Sequence, residues 1–233
     1  KIMNQISNRQ WWYLVVAVVV IWFSNLEYRI LIKPDEGRYA EIPREMVASG
    51  DWTTPRLNDI KYFEKPPLQY WATAVAYEVF GEHQWTSRLW AGLTGFFGIF
   101  LVWFAGFRLF GREAAAYSAM LLGSSLLYVL IGHVNTLDMG VTFFISLGIF
   151  SFLIAQSESD AKCQRNWMLL AWAGMALAVL SKGLMGLILP GTAIFIYCIV
   201  QRDFSVQKRM HWLSGLAVFF LISAPWFYFV MKA

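Results

Sequence analysis

Nearly the whole chain consists of apolar runs long enough to cross a bilayer, roughly 20 residues each, and one long polar stretch, residues 33–88, interrupts them. Such a chain has lipid as its solvent. With 58% of its 233 residues hydrophobic and only 15% charged, it has too little polar surface to clothe a soluble domain of this size. In lipid every backbone amide needs an internal partner, which leaves helices or closed barrels. The runs, such as residues 184–200, are continuous rather than alternating, so the expected fold is an all-α polytopic membrane protein.

Seven spans are predicted, at residues 11–32, 89–109, 114–132, 139–155, 167–180, 184–200 and 212–231. The first follows Lys1 and Arg9 like the start of a signal peptide, but no small-residue cleavage site comes after it, so it is read as a retained span. Short connections carry Arg108, Arg112, Lys162, Arg165, Arg202, Lys208 and Arg209. With Lys1 and Arg9 these make 9 of the 19 basic residues, and the positive-inside tendency assigns them to the cytoplasm. The opposite side carries residues 132–138 without Lys or Arg, a turn at Lys182, and the polar stretch with 7 basic against 9 acidic residues. That stretch is predicted to face outward. Further spans and a soluble domain are expected after residue 233.

The net charge of +4 does not point to nucleic acid, because the basic residues are scattered among loops and form no stripe with interleaved aromatics. Cys163 and Cys198 have neither a C-x-x-C partner nor a histidine at ligand spacing, so no disulfide or zinc site is expected from them. No internal repeat of the inverted-repeat transporter kind is visible.

Within the polar stretch, Asp35 stands where a helix N-cap would, and Tyr39, Ile42, Met46 and Val47 recur at helical spacing up to a stop at Gly50. The prediction is an amphipathic helix at the membrane interface, with Arg38, Glu41, Arg44 and Glu45 on its wet face. A second helix is predicted from Pro66 and Pro67 to Gly81, proline at its start and glycine at its end. The connection between them, with Pro55, Asn58 and Asp59, is turn-rich. A loop this long between spans implies a function.

The run DEGRYAEIPREMVASGDWTTPRLNDIKYFEKPPLQYW, residues 35–71, placed directly after the first span, resembles the bacterial polyprenyl-phosphate-dependent glycosyltransferases of the GT-C fold, and among them the aminoarabinose (lipid A) transferases. The resemblance implies two periplasmic juxtamembrane helices and a cavity at the outer face of the bacterial inner membrane. There a sugar, 4-amino-4-deoxy-L-arabinose, would pass from undecaprenyl phosphate to lipid A with inversion.

The same resemblance assigns roles. Asp35 falls at the family's catalytic aspartate, as general base or positioning carboxylate, beside its local reading as a cap. If the acceptor is a phosphate it needs little deprotonation, since a monoester has its second pKa at about 6. Lys65 alone reads as an interfacial lysine snorkelling to lipid phosphates; in the family context it stabilises the leaving phosphate, helped by Arg38. Glu64 matches a position that can touch a metal, so a divalent ion such as zinc is entertained there, although no cofactor is required. Asp138 reads locally as a helix cap and by resemblance as a second acidic residue. Lys182 reads as a turn lysine or as a cation for an anionic acceptor. Tyr39 and Tyr62 are candidate sugar or phosphate contacts, or members of the interfacial aromatic belt. His133 is expected to be a satisfied interfacial histidine, and Glu27 and Arg29 to pair or snorkel outward. The expected partners are the lipid-linked donor, lipid A or another periplasmic acceptor, and membrane lipid. Two other functions stay open: a transferase acting on a protein or glycan hydroxyl, and a transporter or flippase, which needs charged or broken segments deep within spans.

Overall fold

The structure, a computed structural model, describes residues 8–232, and Lys1 lies outside them. The polar stretch folds as α2 (Asp35–Ser49), a hairpin of β1 (Arg56–Leu57) and β2 (Ile60–Lys61), and α3 (Leu68–Phe80). It is preceded by α1 (Asn8–Phe23) and followed by α4 (Gln84–Phe110), α5 (Arg112–Ser124), α6 (Leu126–Gly132), α7 (Leu137–Ser157), α8 (Ala161–Lys182), α9 (Met185–Gln201) and α10 (Trp212–Val230). Apart from the hairpin the fold is helical, as expected.

The helices make a bundle with two chemically different ends. At one end the polar stretch meets the start of α4, the α6–α7 turn, the α8–α9 turn and the end of α10, where Trp226 Nε1 donates to the Thr53 carbonyl at 3.0 Å. At the other end lie the basic connections, joined by Arg108 to Glu158 at 3.0 Å and Gln164 to the Arg209 carbonyl at 2.8 Å.

Among the described residues, α4, α7 and α10 are each long and apolar enough to cross a membrane, and α5 with α6 passes as one span bent by 66°. The third span predicted at 114–132 is therefore two helices meeting at a bend rather than one continuous helix. At the break Ser125 is extended and Ser124 Oγ donates to the Met120 and Leu121 carbonyls, while a contact distant in sequence, Tyr128 donating to Gly95 O at 2.8 Å, holds the bent arrangement. The first span also ends early, at Phe23 rather than residue 32. Beyond Phe23 the carbonyls of Leu26, Arg29 and Ile30 turn toward Arg88 instead of toward later amides of their own helix. Arg88 in turn belongs to α4, so the loop closes at His83, five residues before its predicted limit.

α7 and α8 pack most closely, through glycines. A Cβ added at Gly174 would stand 2.9 Å from the Gly148 amide nitrogen and 3.2 Å from the Phe144 carbonyl. Small residues at a crossing let helix backbones approach where lipid supplies no hydrophobic drive for association. Gly174→Val is expected to lower the unfolding transition of detergent-solubilised protein, by about 1–3 kcal/mol; an unchanged transition would argue against this crossing.

In the polar stretch, α3 matches its prediction, with Pro67 at its start and Gly81 at φ 84° ending it. The apolar stripe of α2 is packed rather than left to lipid: Tyr39, Ile42 and Met46 meet Tyr70 and Ala74 of α3 and Leu137 of α7. Asn58 and Asp59 at φ 53° and 63° make the left-handed two-residue turn that hairpins favour.

Candidate active site

Asp35 is the first helical residue of α2, and the cap position is held by Pro34, whose side chain has nothing to offer. The expected N-cap role is thus corrected. One turn on, Arg38 is on the same face and donates to the Asp35 carboxylate at 2.5 Å, which leaves that carboxylate open to solvent on its other side. Arg38 also reaches the Tyr62 hydroxyl at 3.3 Å and lies 3.9 Å from Glu64. Tyr62, just past β2, donates to Glu64 Oε2 at 2.7 Å, and Lys65 Nζ is 3.2 Å from Glu64 Oε1. The hairpin folds residues 62–65 back over the start of α2. Asp35, Arg38, Tyr62, Glu64 and Lys65 thereby form one continuous charged cluster. Pro66 and Pro67 fix the backbone directly after Lys65.

Asp138 lies in the first turn of α7, with Thr136 rather than itself at the cap, and pairs with Lys182 in the last turn of α8. Gly183, at φ 81°, ends α8 there. Two residues 44 apart in sequence are thus joined as an ion pair at the same end of the bundle. Among the described residues no hydrogen bond links this pair to the Asp35 cluster. Tyr39 lies between them electrostatically: burial raises its hydroxyl pKa, Arg38 opposes this, and Asp35, Glu64 and Asp138 all add to the rise. Tyr39 itself is a core residue, its ring 6.3 Å from that of Tyr70 and 5.4 Å from the Arg38 guanidinium.

The cluster's protonation follows from these contacts. Bonds from Tyr62 and then Lys65 hold the Glu64 carboxyl below the usual range. Burial and the bond to Glu64 push Tyr62 up to about 12, so its proton stays on near neutral pH. Beneath it the Tyr70 hydroxyl and Arg38 Nε are buried without a hydrogen-bond partner among the described residues, leaving donor capacity for an oxygen-rich ligand. A metal fits less well. Among the described residues no three His, Cys, Asp or Glu side chains come together, and the neighbours of Glu64 are a hydroxyl and two cations.

Sequence reasoning missed the buried hub under this site. Glu36 accepts from Arg88 Nε at 2.8 Å and Nη2 at 3.1 Å, from Arg29 at 2.7 Å, and from the amides of Ile32 and Asn135, both at 2.8 Å. Burial raises the Glu36 carboxyl, but the bonds from Arg88, the two amides and Arg29 together outweigh it and bring the pKa down to about 2. Asn135 accepts from Gln69 as well, so the hub joins α2, α3, α4 and the turn leading to Asp138. Arg29 therefore does not pair with Glu27, which instead accepts the Trp85 amide at 2.6 Å. His133 is satisfied, with its ring nitrogens 2.7 Å from the Val129 and Trp22 carbonyls. A signal for the hub was present in Arg88, a lone cation at the head of an apolar run, where ionisable groups need partners.

The chain and its fold are similar to known proteins. The chain is 35% identical over 224 residues to the undecaprenyl phosphate-alpha-4-amino-4-deoxy-L-arabinose arabinosyl transferase 1 of Proteus mirabilis, covering 93% of this chain and 40% of that protein. It is 34% identical over 217 residues to the corresponding transferase of Aeromonas salmonicida, with 92% and 39% covered. Crystal structures of ArnT from Cupriavidus metallidurans, apo and bound to undecaprenyl phosphate, superpose with TM-scores of 0.93 at 42% and 43% identity. Each match covers 96% of this chain and 42% of the other, so the chain spans about two-fifths of the length of these relatives. The family model for dolichyl-phosphate-mannose-protein mannosyltransferases matches residues 64–229, most of the helical bundle and the Glu64–Lys65 corner of the site, and the chain belongs to that family.

Proposed function

We propose that the chain is the site-bearing membrane part of an enzyme that moves 4-amino-4-deoxy-L-arabinose from undecaprenyl phosphate to lipid A. In this reading it crosses the bacterial inner membrane seven times, and α2 and α3 are juxtamembrane helices on the periplasmic side. The observation that carries the reading is the cluster of Asp35, Arg38, Tyr62, Glu64 and Lys65, held together at one end of the bundle by the Glu36 hub. The relatives named above support the choice of donor and sugar.

A phosphate oxygen of lipid A attacks the anomeric carbon, and the bond from that carbon to the undecaprenyl phosphate oxygen breaks. The electron pair leaves on the lipid phosphate. Lys65, with Arg38 beside it, meets the charge gained there, in a setting drier than bulk water where a fixed cation counts for more. In this reading Asp35 orients the sugar, and Lys182, paired with Asp138, meets the anionic acceptor. Attack opposite the departing phosphate inverts the anomeric centre.

The test uses purified full-length protein with undecaprenyl-phosphate aminoarabinose and lipid A, read by mass spectrometry. Wild type is expected to add aminoarabinose to lipid A, and Asp35→Asn to lose about a hundredfold or more in turnover, from the low end of what a positioned catalytic group contributes, about 10²–10⁴-fold. Modification of a protein or glycan hydroxyl but not of lipid A would overturn the acceptor, and full activity in Asp35→Asn would overturn the site.

A further inference from the structure

An apolar groove of about 240 Å³ lies between α8, α9 and the start of α10, running along α9 toward the basic end of the bundle. Trp172 and Met175 form one wall, and Leu187, Gly191, Ile194, Phe195 and Cys198 form the other. These α9 residues recur at three- and four-residue intervals, so they make one stripe along the helix, and residue 202 continues the interval. Eleven helical steps, from residue 187 to 198, give the groove a length of about 16 Å at 1.5 Å per step. The wall offers a ligand no hydrogen-bond donor from Trp172, whose Nε1 already donates to the Met210 carbonyl at 2.9 Å.

Cations stand next in the chain to the residues at one end of the groove. Gln207, Met210 and Trp212 line it, Lys208 follows Gln207, and Arg202 caps α9. The side chains of Arg202 and Lys208 are exposed and make no ion pair or hydrogen bond with any described residue, whereas Arg108 pairs with Glu158 and Arg209 bonds to the Gln156 and Glu158 carbonyls. Phe204, between them, is also exposed.

We propose that this groove holds one acyl chain of an anionic glycerophospholipid from the leaflet at the basic end, with the lipid phosphate held by Arg202 and Lys208. A hydrocarbon slot opening on unpartnered cations at a membrane boundary is complementary to that molecule in both parts: burial of the chain supplies affinity, and the two cations supply the preference for anionic heads. The inference rests on the membrane-embedded bundle and not on the transfer reaction.

Gly191 allows a clean test, because a Cβ added there meets nothing within 4 Å and a larger side chain would fill the slot. Full-length wild type, Gly191→Phe, and the double variant Arg202→Gln with Lys208→Gln are titrated with phosphatidylglycerol and phosphatidylcholine, and bound lipid is counted by native mass spectrometry. Wild type is expected to retain phosphatidylglycerol roughly thirtyfold better than phosphatidylcholine, in line with two surface cations. Gly191→Phe should lose the tightest-bound lipid of either head. The double variant should keep lipid but lose the preference. Wild type without retained lipid, because other parts of the full chain fill the slot, would overturn the proposal. So would unchanged retention in Gly191→Phe, or an unchanged preference in the double variant.

Discussion

Replacing Lys65 with alanine is expected to slow sugar transfer by about 10²- to 10³-fold, the usual loss when one fixed electrostatic partner of a developing charge is removed. The ammonium group is half-buried, 3.2 Å from Glu64, and its backbone is fixed by Pro66 and Pro67. It is therefore positioned before substrate arrives. The charge on the departing lipid phosphate grows as the bond breaks, so a cation acting there stabilises the transition state more than the bound donor. The loss should appear in kcat, and Lys65→Arg should recover part of it by restoring the charge with different geometry. A rise in KM at unchanged kcat would show that Lys65 only holds the donor.

The largest effect on stability is expected at Glu36. In Glu36→Gln the fully buried Arg88 keeps its charge and loses its counter-ion, a change that costs about 3–5 kcal/mol. Thermal unfolding of the full-length protein in detergent measures it. The pH dependence has a definite sign. The folded-state pKa of Glu36 is depressed to about 2 from 4.5, so its contribution is complete above about 4.5 and is lost as the pH falls toward 2. Wild type should lose stability across that window and Glu36→Gln should not; parallel loss in both would assign the acid sensitivity to other carboxylates.

Much of this arrangement was legible in the sequence. Helical fold, the extent of α3 and the turn at Asn58 and Asp59 followed from apolar runs and from glycine, proline and asparagine chemistry, which act locally. Residues 35, 38, 64 and 65 of the polar stretch were picked out by resemblance and Tyr62 as a flank of that motif, and the structure brings them together. What was not legible depends on contacts distant in sequence. The early end of α1 needs Arg88 to claim its carbonyls, 58 to 62 residues away. The bend at Ser125 depends on Tyr128 reaching Gly95, where the glycine at 98 leaves room for its hydroxyl. Asp138 and Lys182 were each read alone, since nothing in local spacing shows that two helix ends meet.

The hub also sets an order of events during synthesis. Glu36 leaves the ribosome 52 residues before Arg88 and 99 before Asn135. Until α4 follows, its carboxylate has no guanidinium from that helix and is far better accommodated in water than in hydrocarbon. The nascent loop is thereby kept out of the bilayer while the first spans are threaded. The hub can close only once the turn before α7 has emerged, so the charged cluster on α2 takes its final place late.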